Sequence, residues 1–91
     1  MKINLVLKKN LVLSKYSEKF KKLFFRKSRS EKYVNKGVEK YKLKDYQGAI
    51  FDFSKAIELN SKNEDSYIDR ANAKNKLKDY QGAIDDYTKA I

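Results

Sequence analysis

Apolar residues recur every three or four positions in the second half of the chain. Over residues 46–59 these positions are Ala49, Ile50, Phe53, Ala56 and Ile57. This spacing places the apolar side chains on one face of an α-helix and leaves the polar ones opposite. The pattern predicts a helix that packs against its neighbours through a single face.

The chain contains the same pattern twice. Residues 42–57, KLKDYQGAIFDFSKAI, return at residues 76–91 as KLKDYQGAIDDYTKAI, an offset of 34 residues. Only three of the sixteen positions differ. A repeat of this period indicates helical units that cannot bury their apolar faces alone and stack on each other.

Turn-forming residues divide the region after Ser30 into four predicted helices, and we expect no strand there. The predicted helices cover residues 31–43, 46–59, 64–77 and 80–91. The predicted N-caps are Ser30, Asp45, Asn63 and Asp79, because Ser, Asn and Asp side chains accept hydrogen bonds from the first turn of a helix. The polar residues 60–63 separate the two helix pairs.

The first 29 residues follow a different pattern. Residues 14–29 predict an amphipathic helix with Tyr16, Phe20, Leu23 and Phe24 on its apolar face. Residues 1–13 fit either a helix that continues into this segment, which we favour, or a short hairpin, which is marginal in water. The segment is not a further repeat, since a shift of 34 residues puts lysine at three core positions.

Charge separates the same two regions. The net charge is +10, but residues 1–30 carry +9 of it and residues 31–91 only +1. We therefore predict a basic N-terminal segment, 1–29, followed by a nearly neutral domain, 30–91. The candidate basic surface consists of Lys15, Lys19, Lys21, Lys22, Arg26, Lys27 and Arg29.

The composition argues against an enzyme. The chain has no Cys and no His, which removes disulfides, thiolate metal sites, the commonest metal ligand and the usual general base. The carboxylates of Asp52, Asp85 and Asp86 are expected on a solvated face or paired with Lys55 and Lys89. We expect no cofactor and no metal. Apolar runs of three residues at most predict no transmembrane span, and the cytoplasm is the default compartment.

Small and aromatic residues occupy corresponding positions in the two copies. The first copy has Tyr33, Gly37, Tyr41, Tyr46, Ala49, Phe53 and Ala56, and the second has Tyr67, Ala71, Tyr80, Ala83, Tyr87 and Ala90. With the 34-residue period, these positions resemble the tetratricopeptide repeat, here as units 30–63 and 64–91. The resemblance implies an all-α fold of antiparallel helix pairs, a fragment of an α-solenoid, with the basic helix added at the N-terminus.

Two departures from the family pattern concern charged residues. Lys36 and Arg70 stand where the family has an apolar residue before the small residue. Lys40 and Lys74 stand where it has tyrosine. We expect Tyr41 to cover part of the gap left by the missing tyrosine in the first copy, whereas Asn75 cannot do so in the second.

The resemblance also implies a concave groove, lined by the first helix of each pair, in which family members bind peptides. By repeat position, the groove residues are Val34, Asn35, Val38, Tyr41, Lys42, Ile68, Asp69, Asn72, Asn75 and Lys76. The alternative for Val34, Val38 and Ile68 is simple packing between helices. Some family members clamp a terminal carboxylate with Lys and Asn, but two of those places hold valine here, so we do not expect that clamp.

We therefore predict a non-catalytic protein–protein interaction module that binds an extended segment of a protein or peptide partner. The alternative is an adaptor held at an anionic membrane surface, or on nucleic acid, by the basic helix. We favour packing of Phe20, Leu23 and Phe24 on the first repeat over that alternative. Ile84, Tyr87 and Ile91 form an apolar patch on the last helix, which predicts a homodimer.

Overall fold

A computed structural model describes residues 17–91. The predictions for residues 1–16, including those for Lys15 and Tyr16, lie outside the described residues, as do those for the side chains of Phe20 and Phe24. The described residues form four helices and no strand, as predicted for an all-α fold. The helices are α1 (Glu18–Lys42), α2 (Tyr46–Leu59), α3 (Glu64–Lys76) and α4 (Tyr80–Ala90).

The first helix differs from its prediction, because α1 runs without a break through Ser30. Ser30 is buried within the helix rather than at its N-cap, and its hydroxyl donates a hydrogen bond to the Ala56 carbonyl oxygen of α2 at 3.0 Å. A serine favours the start of a helix when its side chain accepts hydrogen bonds from the N–H groups of the first turn. Here the Ser30 hydroxyl instead donates across the helix pair. The basic segment and the first repeat therefore share one helix.

The two turns that follow α1 and α3 have the same geometry. Asp45 and Asp79 cap α2 and α4 as predicted, accepting hydrogen bonds from the Gly48 and Gly82 N–H groups at 3.0 and 3.1 Å. The preceding lysines, Lys44 and Lys78, have positive φ angles of 65° and 66°. The identical KLKDYQG sequence thus produces the same turn twice.

The prediction of a cap at Asn63 is wrong in its mechanism. Asn63 stands at the N-cap position of α3, but its side chain makes no capping hydrogen bond. The Asn63 carbonyl accepts a hydrogen bond from the Ser66 N–H at 3.2 Å, and Glu64 and Asp65 place negative charge in the first turn. Such charges favour the positive end of a helix.

The helices pack as two hairpins, α1 with α2 and α3 with α4, joined by contacts between α2 and α3. Phe53 is 1% exposed and lies in the core with Ala49 and Ala73. Gly37 lets α1 approach α2 closely, since a β-carbon there would lie 2.6 Å from a ring atom of Phe53. The predicted packing of Ala49, Phe53 and Ala56 on one face of α2 is confirmed by their burial.

Two carboxylates predicted to face solvent are buried. Asp52 is 3% exposed and its Oδ2 lies 2.9 Å from Lys40 Nζ, as an ion pair without hydrogen-bond geometry. Asp86, 1% exposed, is the equivalent residue of the second repeat, and its Oδ2 lies 2.9 Å from Lys74 Nζ. Of the three, only Asp85 is exposed, and it accepts a hydrogen bond from Gln81.

Ion pairs explain three of the four charged departures from the family pattern, at Lys40, Arg70 and Lys74. Lys40 and Lys74, which replace tyrosine, neutralise the buried carboxylates of the second helix in each repeat. Arg70, which replaces an apolar residue, also donates two hydrogen bonds to Asp86, at 2.8 and 2.7 Å, and one to Ser54 of α2 at 3.1 Å. The predicted partner Lys55 pairs with Glu58 along α2 instead. The ion pairs of Asp52 and Asp86 among the described residues do not include Lys89.

Candidate functional site

A pocket opens where α1, α2 and α3 meet. It has a volume of about 190 Å³ and is lined by Val38, Tyr41, Lys42, Phe53, Asp69 and Asn72. Five of these six residues belong to the groove predicted from repeat positions. The exception, Phe53, has a core position in the repeat, so sequence reasoning assigned its ring to packing alone.

The other five predicted groove residues do not line this pocket. Asn35, Asn75 and Lys76 are exposed, Ile68 is 38% exposed and Val34 is half-buried. The pocket therefore contains the middle of the predicted groove, where the last turns of α1 meet the middle of α3.

Tyr41 and Asn72 are each held by a residue of the following helix. The Tyr41 ring meets the ring of Tyr46 edge to face, with centroids 5.2 Å apart and planes at 70°. Asn72 Oδ1 accepts a hydrogen bond from the hydroxyl of Tyr87. These contacts fix the two side chains before any ligand arrives, which lowers the ordering cost of binding.

Asp69 supplies the carboxylate among the residues that line the pocket. The carboxylate is half-buried and has no hydrogen bond or ion pair with any described residue. Burial, and then the negative charge of Asp65 one turn away, raise the pKa of Asp69 above its ordinary value. Lys42, on the same pocket, is exposed and forms no ion pair with Asp69 within 4.0 Å.

The basic part of α1 forms a second surface. Of the candidate basic residues that the structure describes, Lys19, Lys22, Arg26, Lys27 and Arg29 are exposed, while Lys21 is half-buried and pairs with Glu18 at 3.2 Å. Leu23 is 56% exposed, so the expectation that it packs on the first repeat is wrong. Phe25 is also exposed, at 49%. Within residues 17–91, no helix combines the length and apolar character needed to cross a membrane.

An apolar face on α4 forms a third surface. Ile84 is 56% exposed, whereas Ile50, the equivalent residue of the first repeat, is half-buried against the core of Phe53 and Ala73. Ile91 is fully exposed, and Tyr87 is half-buried. The same face of the repeat is thus covered on α2 and uncovered on α4.

Comparison with known proteins assigns both repeats. Residues 30–63 match a family model described as tetratricopeptide repeat, and residues 64–91 match a second model of the same description. Together the two matches cover more than half of the chain. No curated protein matches the sequence closely enough to count as a relative.

Proposed function

Because the chain belongs to the tetratricopeptide repeat family, whose members mediate protein–protein interaction, we propose that it binds an extended segment of a partner protein in the groove formed by α1 and α3. The supporting observation is the pocket itself, because five of the predicted groove positions surround one cavity of about 190 Å³. A preformed cavity with apolar walls and a few polar groups is the usual form of a binding site.

We propose that this role is non-catalytic. The buried carboxylates Asp52 and Asp86, which are candidate acid–base groups by residue type, are engaged by Lys40, Lys74 and Arg70. The Asp86 pKa is lowered: burial alone would raise it, but hydrogen bonds from Arg70 and Lys74, and their charges, outweigh burial. Such a group stays ionised near neutral pH and does not exchange protons with a substrate.

A peptide-display selection tests the groove. Short random peptides are selected on the intact chain, and the enriched ones are titrated while the backbone amides are followed by NMR. We expect shifts at Val38, Tyr41 and Asn72, and a large loss of affinity in the variant Asn35→Ala/Asp69→Ala. The control variant Ser61→Ala/Asp85→Ala carries comparable changes at exposed positions outside the groove and should bind normally. Peptides whose titrations shift only amides outside the groove, whatever their affinity for the two variants, would overturn the proposal.

A second candidate function uses the basic part of α1. We propose that this surface holds the chain at an anionic membrane, because exposed Leu23 lies among exposed lysines and arginines. An apolar side chain inserts into the lipid interface, and each basic residue near an anionic surface adds about 1 kcal/mol.

Liposome sedimentation tests this candidate without deleting the segment, because deletion of residues 1–29 would cut α1 in two. Vesicles with anionic lipid should bind the intact chain and release it in added salt. The variant Leu23→Ser/Lys22→Glu/Arg26→Glu should bind these vesicles less tightly than the parent chain. The control Lys62→Glu/Lys78→Glu makes the same change in charge at exposed positions outside α1 and should bind nearly as tightly as the parent chain. Equal binding to neutral vesicles, or preferential binding of duplex DNA, would argue against the membrane.

We also propose that the uncovered face of α4 joins two copies of the chain. The supporting observation is the contrast between exposed Ile84 and half-buried Ile50, since the molecule itself covers this face of the repeat with another helix.

A further inference from the structure

An ionisable group in an apolar pocket normally has a partner, and Asp69 has none among the described residues. Partial burial of a carboxylate costs free energy unless a cation or hydrogen-bond donors compensate. Lys42 is available on the same pocket but remains exposed and does not pair with it. Within residues 17–91, the pocket therefore contains no cation paired with the Asp69 carboxylate.

The surroundings of Asp69 add negative charge rather than neutralise it. Asp65 lies one turn earlier on α3, is exposed and likewise forms no ion pair within the described region. Its charge is a cause of the raised pKa of Asp69, after burial. By contrast, the other half-buried or buried aspartates, Asp52 and Asp86, each have a basic residue within 3 Å. None of the Lys and Arg side chains in residues 17–91 pairs with either of these carboxylates.

From this geometry we propose that the pocket takes the side chain of a lysine or arginine in the bound partner segment, with its charge on Asp69 and its aliphatic stem against Val38, Tyr41 and Phe53. This inference rests on the groove binding proposed above. Lysine and arginine bury their methylene stems on apolar surface while the charged end reaches a polar partner. The ring of Tyr41 offers such a cation an additional attraction.

The net charge of +10 overstates the repulsion that a cationic ligand meets at the pocket. Most of the excess positive charge lies in residues 1–30, and residues 31–91 carry only +1. An acidic side chain in the same pocket would add a third carboxylate beside Asp65 and Asp69. An uncharged aliphatic side chain would fill the apolar part but leave Asp69 buried without a partner, at a greater cost than in the free chain.

Three synthetic peptides with one guest position test this inference on the full chain. The host is Ser-Leu-Xaa-Leu-Ser, acetylated and amidated so that its ends are neutral, and the guest is lysine, norleucine or glutamate. Norleucine keeps the lysine stem without its charge. We expect the lysine peptide to bind about tenfold more tightly than the norleucine peptide, the range of a charge-assisted hydrogen bond, and glutamate to bind least. The amides of Val38 and Asp69 should shift in the titration.

Matched variants identify the carboxylate responsible. Asp69→Asn should abolish the preference for lysine over norleucine, and Asp85→Asn, the same change at an exposed site outside the pocket, should retain it. The inference is overturned if norleucine binds as tightly as lysine, if the lysine peptide does not shift the pocket, or if the preference survives Asp69→Asn.

Failure of this inference is distinguishable from failure of the groove proposal, because the display selection leaves the ligand sequence open. Selected peptides that bind the groove without a basic residue would remove the inference and keep the groove. Selected peptides that bind elsewhere would remove both.

Discussion

Asp86 is the least exposed ionisable side chain among the described residues, and two basic residues hold it. Hydrogen bonds from Arg70 and Lys74 lower its pKa, against the opposing effect of burial. Because the pKa in the folded chain lies below that in the unfolded chain, the stabilisation is present above about pH 3.9 and is lost as the pH falls through the lowered pKa. The second repeat should therefore be sensitive to acid.

The first prediction is that Asp86→Asn lowers the free energy of unfolding by about 3 kcal/mol at neutral pH, since it leaves two cations partly buried without a counter-charge. Chemical denaturation of both chains measures this difference. The difference should begin to shrink below about pH 3.9, where Asp86 of the unfolded chain takes up a proton, and should be lost as the pH falls through the lowered pKa of the folded chain. Asp85→Asn, next to it but exposed, should change stability by no more than about 0.5 kcal/mol. A loss independent of pH would contradict the ion-pair interpretation.

The second prediction has the opposite sign. Because the pKa of Asp69 is raised, the fold favours its protonated form, and the ionised carboxylate lowers stability above that pKa. Asp69→Asn should raise the melting temperature at neutral pH and have little effect near pH 3, where the parent side chain is protonated. If the variant is less stable at neutral pH, the carboxylate has a stabilising partner.

Together these predictions separate two kinds of aspartate in one repeat. Asp86 stabilises the fold, whereas Asp69 lowers its stability and is retained, in our proposal, for binding. A change that improves stability and removes ligand selectivity is typical of a binding residue.

At the scale of elements, the turns after α1 and α3 each contain a lysine in the left-handed backbone conformation, Lys44 and Lys78. The Asp45 and Asp79 N–H groups each bond to a carbonyl five residues earlier, on Lys40 and Lys74, at 2.9 Å. These hydrogen bonds end α1 and α3 in a motif whose left-handed position, here Lys44 and Lys78, is usually occupied by glycine. A left-handed conformation costs other residues about 1–2 kcal/mol.

The third prediction is that Lys44→Gly raises the free energy of unfolding by about 0.5–1 kcal/mol, because relief of the left-handed strain exceeds the extra entropy of glycine in the unfolded chain. Lys44→Ala removes the same charge without relieving the strain and should give no gain. Urea denaturation of the two variants provides the measurement. Equal stability of the two would mean that the charge, rather than φ, determines the effect.

The repeat made most elements predictable before the structure. The boundaries of α2, α3 and α4, and the caps at Asp45 and Asp79, follow from local signals that appear in the sequence. The continuity of α1 does not, because a serine reads as a cap unless its distant partner, here Ala56, is known. The exposure of Leu23 is also not predictable from the sequence. Periodicity shows which side chains share a helix face, but it does not show whether another helix covers that face.

The pocket was only partly predictable. Repeat position identified five of the lining residues, which are Val38, Tyr41, Lys42, Asp69 and Asn72. It did not identify Phe53, because the repeat pattern assigns Phe53 to the core. The sequence does contain a signal for the buried ion pairs, because lysine and aspartate both recur at the 34-residue period. The lysines are Lys40 and Lys74, and the aspartates are Asp52 and Asp86. When residues of opposite charge recur together at the repeat period, they indicate an ion pair between the two helices rather than a solvent-exposed face.

At the scale of the whole molecule, the two repeats differ in what covers them. On α2, Ile50 packs against the core that includes Ala73 of α3, so the second repeat covers the first. On α4, the equivalent Ile84 is 56% exposed, beside Tyr80 at 57%. Contiguous exposed apolar residues on a repeat unit favour association, because each unit buries its apolar face only by stacking.

The fourth prediction is that the chain associates into dimers through this face of α4. Sedimentation velocity over rising protein concentration should show a shift from monomer to dimer. Ile84→Ser should weaken the dimer, because it removes an apolar side chain from the contact. Leu43→Ser, at a residue that is 78% exposed in the turn after α1, makes a similar change away from α4 and should leave the dimer intact. A monomer at every concentration, or a dimer insensitive to Ile84→Ser, would show that this face does not join two copies of the chain.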